Sequence, residues 1–142
     1  QMKRRTSATG AVTEYLEYSP HGNLLKQRGP SGATRVNEYD SRQRLIARTE
    51  RGGTTTYRYD PRGLLNEVIL PQGQVLTYEY DAAQRLVGIR DSGENRISYT
   101  LDSMGHHLKE EAHNPSSPIV RTVTREFDAL SRVKREIRGG TP

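Results

Sequence analysis

Tyr39-Asp40-Ser41-Arg42-Gln43-Arg44-Leu45 comes back as Tyr59-Asp60-Pro61-Arg62-Gly63-Leu64-Leu65, and again as Tyr80-Asp81-Ala82-Ala83-Gln84-Arg85-Leu86. Three looser copies extend the series. Tyr18-Ser19-Pro20-His21-Gly22-Asn23-Leu24 puts Ser where the others have Asp. Leu101-Asp102-Ser103-Met104-Gly105 puts Leu where the others have an aromatic, and Phe127-Asp128-Ala129-Leu130-Ser131-Arg132-Val133 uses Phe. The anchors Tyr18, Tyr39, Tyr59, Tyr80, Leu101 and Phe127 are spaced by 21, 20, 21, 21 and 26 residues. A fixed period of this length marks a repeat architecture in which one supersecondary unit is copied along the chain.

A second marker keeps step with the first. Gly32, Gly52, Gly73 and Gly93 fall seven or eight residues before the next anchor, and the last interval carries Asn114-Pro115-Ser116-Ser117-Pro118 instead. Each period therefore holds two turn signals about ten residues apart, built from residues that supply positive or fixed φ. The runs between them alternate. Leu76, Tyr78 and Tyr80 fall on one side and Val75, Thr77 and Glu79 on the other; Ile97, Tyr99 and Leu101 repeat the pattern, as do Thr55, Tyr57 and Tyr59. No window longer than two turns has the three-and-four spacing of a helix. Each period is predicted to be a β-hairpin, and the whole chain, residues 1–142, a single all-β array of six tandem antiparallel hairpins forming a continuous curved sheet.

Within each unit the Asp has a plain task. A carboxylate opening a turn accepts N–H bonds from residues just ahead of it, which assigns that role to Asp40, Asp60, Asp81, Asp102 and Asp128. The preceding Tyr is expected to bury its ring, keep its hydroxyl at the wet edge, and stack in a regular ladder from hairpin to hairpin.

Composition agrees with a thin sheet. Leu, Ile, Val and Phe make up 27 of 142 residues, low for a globular core, while 8 Tyr and 13 Thr favour pleated, half-buried strands. There is no Cys, which excludes disulfides and Cys-based zinc sites. No stretch approaches the ~20 apolar residues of a helical membrane span. The chain starts at Gln1 and ends in Gly-Gly-Thr-Pro, and it reads as a piece of a longer protein.

The pattern resembles the RHS or YD-repeat family, over about residues 10 to 138. That resemblance implies a fold in which long arrays of hairpins coil into a hollow β-shell, of which six hairpins are a section of wall. It implies a setting as well: in bacteria the shell is the middle of a large secreted polymorphic toxin and encloses a variable C-terminal toxin domain, often delivered through a type VI or similar secretion machine in competition between bacteria. The same repeats occur in the teneurins, which are cell-adhesion receptors. On this reading the partners are the toxin domain of the same polypeptide and neighbouring repeats, the location is secreted or cell-surface, no cofactor is needed, and the chain is not an enzyme. The alternative is a carbohydrate-binding or adhesion module on a bacterial surface, using Tyr rings against sugar faces and Asp against hydroxyls.

Three further candidates need weighing. Bacterial relatives end their shell at a paired DPxG motif that cleaves itself with two aspartates. Asp60-Pro61-Arg62-Gly63 matches one half, but the place for the second reads Asp81-Ala82-Ala83-Gln84, so an ordinary turn is expected. His106, His107 and His113 lie near Glu110 and Glu111, yet alternation in a strand would send His107, Lys109 and Glu111 one way and His106, Leu108 and Glu110 the other, which spoils a metal site. Arg42, Arg44, Arg62, Arg85 and Arg132 form a potential phosphate-binding stripe, but Asp recurs in the same register and should neutralise it. Finally, a sheet with two free edges is prone to pair edge to edge with another copy.

Overall fold

The computed structural model describes residues 3–8 and 10–140, and all regular structure in them is β-strand. The strands are β1 (Lys3–Thr6), β2 (Val12–Tyr18), β3 (Leu24–Arg28), β4 (Thr34–Tyr39), β5 (Leu45–Glu50), β6 (Gly53–Tyr59), β7 (Leu65–Ile69), β8 (Val75–Tyr80), β9 (Leu86–Asp91), β10 (Arg96–Leu101), β11 (His107–Asn114), β12 (Ser117–Phe127) and β13 (Val133–Gly139). Their order in the sheet is their order in the chain. That is the arrangement expected of tandem hairpins. No helix among the described residues is long and apolar enough to cross a membrane.

The chain falls into two compact units. One comprises residues 1–58 and 68–73, the other residues 59–67 and 74–142. In the first, β1 to β5 pair antiparallel in succession, and β5 pairs with β6. In the second, β8 to β13 do the same.

Turn chemistry fixes the register. In most turns the fourth residue donates its N–H to the first residue's carbonyl, and the first donates to the fifth: Gln43 N–H to Asp40 O is 3.0 Å and Asp40 N–H to Arg44 O is 2.9 Å. The fourth residue is left-handed in each such turn, as at Gly22 (φ 87°), Gly63 (φ 93°) and Gly105 (φ 90°). This is a type I turn closed by a glycine-type bulge, a standard short hairpin connection. Four turns place another residue there: Gln43, Gln84, Glu94 and Ser131, all with φ between 61° and 64°. At the fourth spacer the left-handed residue is Glu94, one place after the Gly93 singled out by the repeat pattern. A side chain in this region costs about 1–2 kcal/mol, and glycine returns part of that as lost chain entropy. Gln84→Gly is therefore expected to stabilise the chain by about 0.5 kcal/mol, and Gly63→Ala to destabilise it by about 1 kcal/mol; urea melts of both variants check this.

Two turns are tighter. Glu50 pairs with Gly53 across Arg51-Gly52, both with positive φ, a two-residue turn of the primed type. Asn114 pairs with Ser117 across Pro115-Ser116. The five-residue insertion therefore lengthens strands rather than a loop: β11 has 8 residues and β12 has 11.

Simple alternation fails beside most of the anchor turns. Tyr39 pairs with Leu45, but Glu38 pairs with Ala47, so Ile46 is skipped. Likewise Val87 is skipped opposite Tyr80 and Glu79, Leu108 opposite Leu101 and Thr100, and Lys134 opposite Phe127 and Glu126. Each is a β-bulge on the strand leaving the anchor turn. The bulge returns the strand to register after an apolar pair such as Leu45-Ile46 or Leu86-Val87.

Little of the array is buried. Among the described residues, Val68 and Val123 are the buried apolar side chains, and Asn37 is the buried polar one, at 6% exposure. The chain exposes 9763 Å², where a compact protein of its mass exposes about 7,400 Å². Neighbouring hairpins and turn hydrogen bonds, not a central core, hold such an array together.

Candidate functional site

The anchor turns carry the densest polar chemistry. Asp40 opens its turn with one carboxylate oxygen accepting the N–H groups of Arg42 and Arg44, both at 2.9 Å. Its other oxygen meets the Arg44 guanidinium at 2.7–2.8 Å. Asp128 does the same with Leu130 and Arg132. Asp81 holds the Arg85 N–H and guanidinium. Asp60 accepts the Leu64 N–H at 2.9 Å but takes its guanidinium from Arg62, two residues on. Asp102 substitutes an imidazole: His106 Nδ1 lies 2.7 Å from its carboxylate. Where the first turn has Ser19, its hydroxyl accepts the Asn23 N–H at 3.1 Å.

The repeat pattern did not single out Asp91, yet it makes the same turn. It accepts the N–H groups of Gly93 and Asn95, and Asn95 Nδ2 at 2.8 Å. The legible signal was an Asp four residues before a donor side chain, without an aromatic ahead of it.

These bonds favour the ionised carboxylate. The Arg44 N–H lowers Asp40 most, against some desolvation, and backbone N–H groups likewise lead for Asp81 and Asp128. Side-chain bonds lead for Asp91, from Asn95, and for Asp102, from His106. For Asp60 desolvation is the largest influence and raises the pKa, but the Leu64 N–H and Arg62 together outweigh it and the net shift is downward.

Neighbouring repeats are tied along this row. Arg85 holds Asp81 and also donates to the Asp102 carbonyl at 2.7 Å. Asp102 holds His106, whose ring stacks on Phe127 with centroids 4.6 Å apart and planes 19° apart. A second tie comes from the tyrosines. Tyr39 donates its hydroxyl to the Leu24 carbonyl at 3.2 Å, and Tyr80 to the Leu65 carbonyl at 2.9 Å. In both cases the acceptor lies fifteen residues back. These hydroxyls close backbone carbonyls of the preceding repeat rather than sit at a wet edge, and burial raises the Tyr80 pKa, helped by Tyr78 and Asp60. Among the other anchors, Tyr18 is 38% exposed and Tyr59 is half-buried. The ring pairs of the second unit, His106 with Phe127 and Tyr99 with His107, each contain a histidine, unlike the expected Tyr-on-Tyr ladder. Tyr80→Phe is expected to cost about 1 kcal/mol by orphaning the Leu65 carbonyl, measured by urea unfolding.

The RHS Repeat family matches residues 39–75 and 67–96. The matched stretch, residues 39–96, holds the Tyr39, Tyr59 and Tyr80 repeats. Among solved structures, likeness of fold extends over most of the array. A TcdB2-TccC3 structure without its hypervariable C-terminal region is 18% identical, with a TM-score of 0.75 over 90% of this chain and 8% of that one. The Tc holotoxin pore of Photorhabdus luminescens is 19% identical, with a TM-score of 0.69 over 87% of this chain and 6% of that one. A TcdB2-TccC3-TEV structure gives 19% identity and a TM-score of 0.70 over 87% of this chain and 7% of that one. The chain thus spans less than a tenth of the structures it matches, and at this identity the likeness is one of fold. No curated protein matches the sequence.

The remaining sequence candidates resolve within turn and strand chemistry. Asp60 is engaged by its own turn, with Arg62 and Leu64 on its two oxygens. The histidines serve three different partners. His106 sits in the turn on Asp102, His107 packs 4.7 Å from Tyr99, and His113 Nε2 lies 3.3 Å from Ser98 Oγ. The bulge at Leu108 puts His107 on the Tyr99 and Leu101 face and Lys109 on the other, where alternation alone had put them together. Among the described residues no group of His, Asp and Glu is placed to hold a metal ion. The Arg stripe is neutralised as expected: Arg44, Arg62, Arg85 and Arg132 each pair with the Asp of their own turn. A hollow of about 400 Å³ at the first two anchor turns is lined by Asn23, Tyr39, Asp40 and Gln43 among others. These four are already bonded to protein: Asn23 to Gln43, Asp40 to Arg44, Tyr39 to Leu24.

Proposed function

We propose that this chain is a section of wall in a larger RHS shell, and that the shell encloses a C-terminal toxin domain of the same polypeptide. The shell belongs to a secreted effector that acts between competing bacteria, released through a type VI or similar machine. The wall itself does no chemistry; its task is to exclude proteases and solvent partners until delivery. One observation carries this reading: among the described residues two apolar side chains and one polar one are buried, yet neighbouring repeats within each unit are tied by a guanidinium group and by tyrosine hydroxyls. A sheet of that kind gains rigidity without a core and leaves both faces free, as a wall requires. Its structural neighbours, a Tc holotoxin and a complex lacking its hypervariable C-terminal region, support a toxin setting.

Limited proteolysis of the full-length parent, read by intact mass, tests the proposal. A C-terminal segment that survives with the repeats, and is digested only after they are denatured, is the expected result. A segment cut at once while the repeats stand would mean the array encloses nothing.

A further inference from the structure

The face of the second unit that carries Tyr78 and Tyr99 holds an apolar cup of about 210 Å³. Cross-strand pairing builds it. Tyr78, Ile89, Ile97 and Ala112 stand opposite one another in successive strands, and Leu76 stands opposite Asp91. Leu76, Ile89 and Ile97 line the cup, and Ala112, the small member of its row, keeps it open. Asp91 and Asn95 stand at the lip, where a polar hollow of about 320 Å³ adjoins. Asp91 differs from the other turn aspartates in its partner. Asp40, Asp60, Asp81 and Asp128 each hold a guanidinium, and Asp102 an imidazole. Asp91 has the neutral Asn95 in that place, and its other bonds are to the backbone N–H groups of Gly93 and Asn95. Nearby cations are engaged elsewhere. Arg96 borders the cup but sends its guanidinium to Glu79 at 2.8 Å, His113 lies 3.3 Å from Ser98 Oγ, and Arg121, opposite Ala112, pairs with Glu110. The cup therefore has a carboxylate at its lip that no ion pair neutralises among the described residues.

We propose that this cup docks a basic and an apolar side chain, two residues apart on an extended segment of the polypeptide that the wall faces. The inference rests on the wall reading for the source of that segment alone; charge and shape supply its chemistry. In an extended chain residues two apart point the same way, so an apolar side chain can enter between Leu76, Ile89 and Ile97 while its neighbour reaches the lip. Lysine and arginine lay an aliphatic stem on apolar surface and keep the charge at the water, which puts that charge on Asp91. A carboxylate beside apolar surface attracts a cation more strongly than one surrounded by water. The volume lies below the roughly 300–1,000 Å³ of small-molecule pockets and suits one or two side chains. β9 and β10 are paired on both sides, so the segment joins through side chains and not as another strand. A sugar would gain from an aromatic ring to lie against, and the lining is aliphatic.

Nitrogen-15 NMR of the 142-residue chain reads the binding. The probe is a blocked peptide, Thr-Lys-Thr-Leu-Thr. Controls are the same peptide with Glu for Lys, the same peptide with Ser for Leu, n-butylammonium, and maltose. The Lys-Leu peptide alone is expected to shift the amides of residues 89–97 and 112, with a dissociation constant of about 1 mM. Asp91→Asn, which keeps the turn's acceptor and removes the charge, is expected to weaken it about fivefold. Asn95→Arg gives this turn the cation found four residues after Asp40, Asp81 and Asp128; it is expected to abolish binding without lowering the melting temperature. Ala112→Leu fills the cup, leaves the charge in place, and is expected to abolish binding as well. No shifts at about 10 mM peptide, equal binding of the Glu peptide, or unchanged binding in Asn95→Arg or Ala112→Leu would each overturn the proposal. So would n-butylammonium or maltose shifting the same amides as strongly, which would give the cup to a small molecule. Failure here leaves the wall reading untouched, and failure of the parent to shield its C-terminal segment removes only the source of the docked segment.

Discussion

The fold is expected to hold from pH 7 to pH 5 and to be lost as the pH falls below about 4. Six aspartates open turns, and all six have pKa values held below the ordinary carboxylate value of 3.8 by the groups that cap them. Glu136, between Arg138 and Arg125, is lowered in the same way from 4.5. The direction follows from linkage. As the pH falls through the unfolded-state pKa values, the unfolded chain binds protons that the folded chain still refuses. Stability is therefore fully present above the unfolded values and drains away toward the lower folded ones. Because the carboxylates also set the turns, protonation removes register and charge pairing together. Circular dichroism from pH 7 to pH 2 checks this. Replacing both Asp81 and Asp128 by Asn should lower the melting temperature at pH 7, flatten the pH dependence, and leave the variant close to the unaltered chain at the acid end. A melting temperature that does not move between pH 7 and pH 3 would mean that the turn carboxylates do not hold the array.

Asn37→Leu is expected to destabilise the chain by about 2 kcal/mol despite adding apolar volume to one of its few buried positions. Asn37 donates to the Leu24 carbonyl at 2.9 Å and accepts from Arg48 Nε at 3.2 Å, so it links β4 to the strands on both sides. Leucine leaves the Arg48 guanidinium facing an apolar group and weakens the closure of the Leu24 carbonyl. Val36→Ala, at the neighbouring and 37% exposed position, is expected to change stability by no more than about 0.5 kcal/mol. Urea unfolding of the two variants separates them. Equal losses would mean that burial of surface, not satisfaction of polar groups, governs this array.

Much of this architecture was legible in the residues. The period of the Tyr-Asp turns implied one hairpin per repeat, and a hairpin meander has its strands in chain order. The Asp-to-N–H bonds follow from placing a carboxylate at the head of a tight turn, whatever surrounds it. Other features depend on neighbours and were not readable by alternation. The bulges at Ile46, Val87, Leu108 and Lys134 arise where the closing turn and the facing strand demand different registers. At Leu45-Ile46 and Leu86-Val87 their trace in the sequence is a pair of adjacent apolar residues after a turn, which a strict two-residue period reads as noise. The tie from Arg85 to the Asp102 carbonyl spans seventeen residues and requires knowing that successive turns lie side by side. The polar burial of Asn37 was invisible because nothing local distinguishes it from an exposed strand asparagine.

The central claim is that this sheet is a wall with an inside and an outside, and the absence of cysteine makes it directly testable. Arg121 pairs with Ala112, which pairs with Ile97, so it shares the face of Tyr99; Thr100 lies on the other face. Both are exposed in the array. Arg121→Cys and Thr100→Cys are placed singly in a cysteine-free full-length parent and challenged with a bulky polyethylene-glycol maleimide. The account predicts that one of the two positions reacts promptly while the other stays protected until the protein is denatured. Prompt reaction at both positions in the native parent would contradict it.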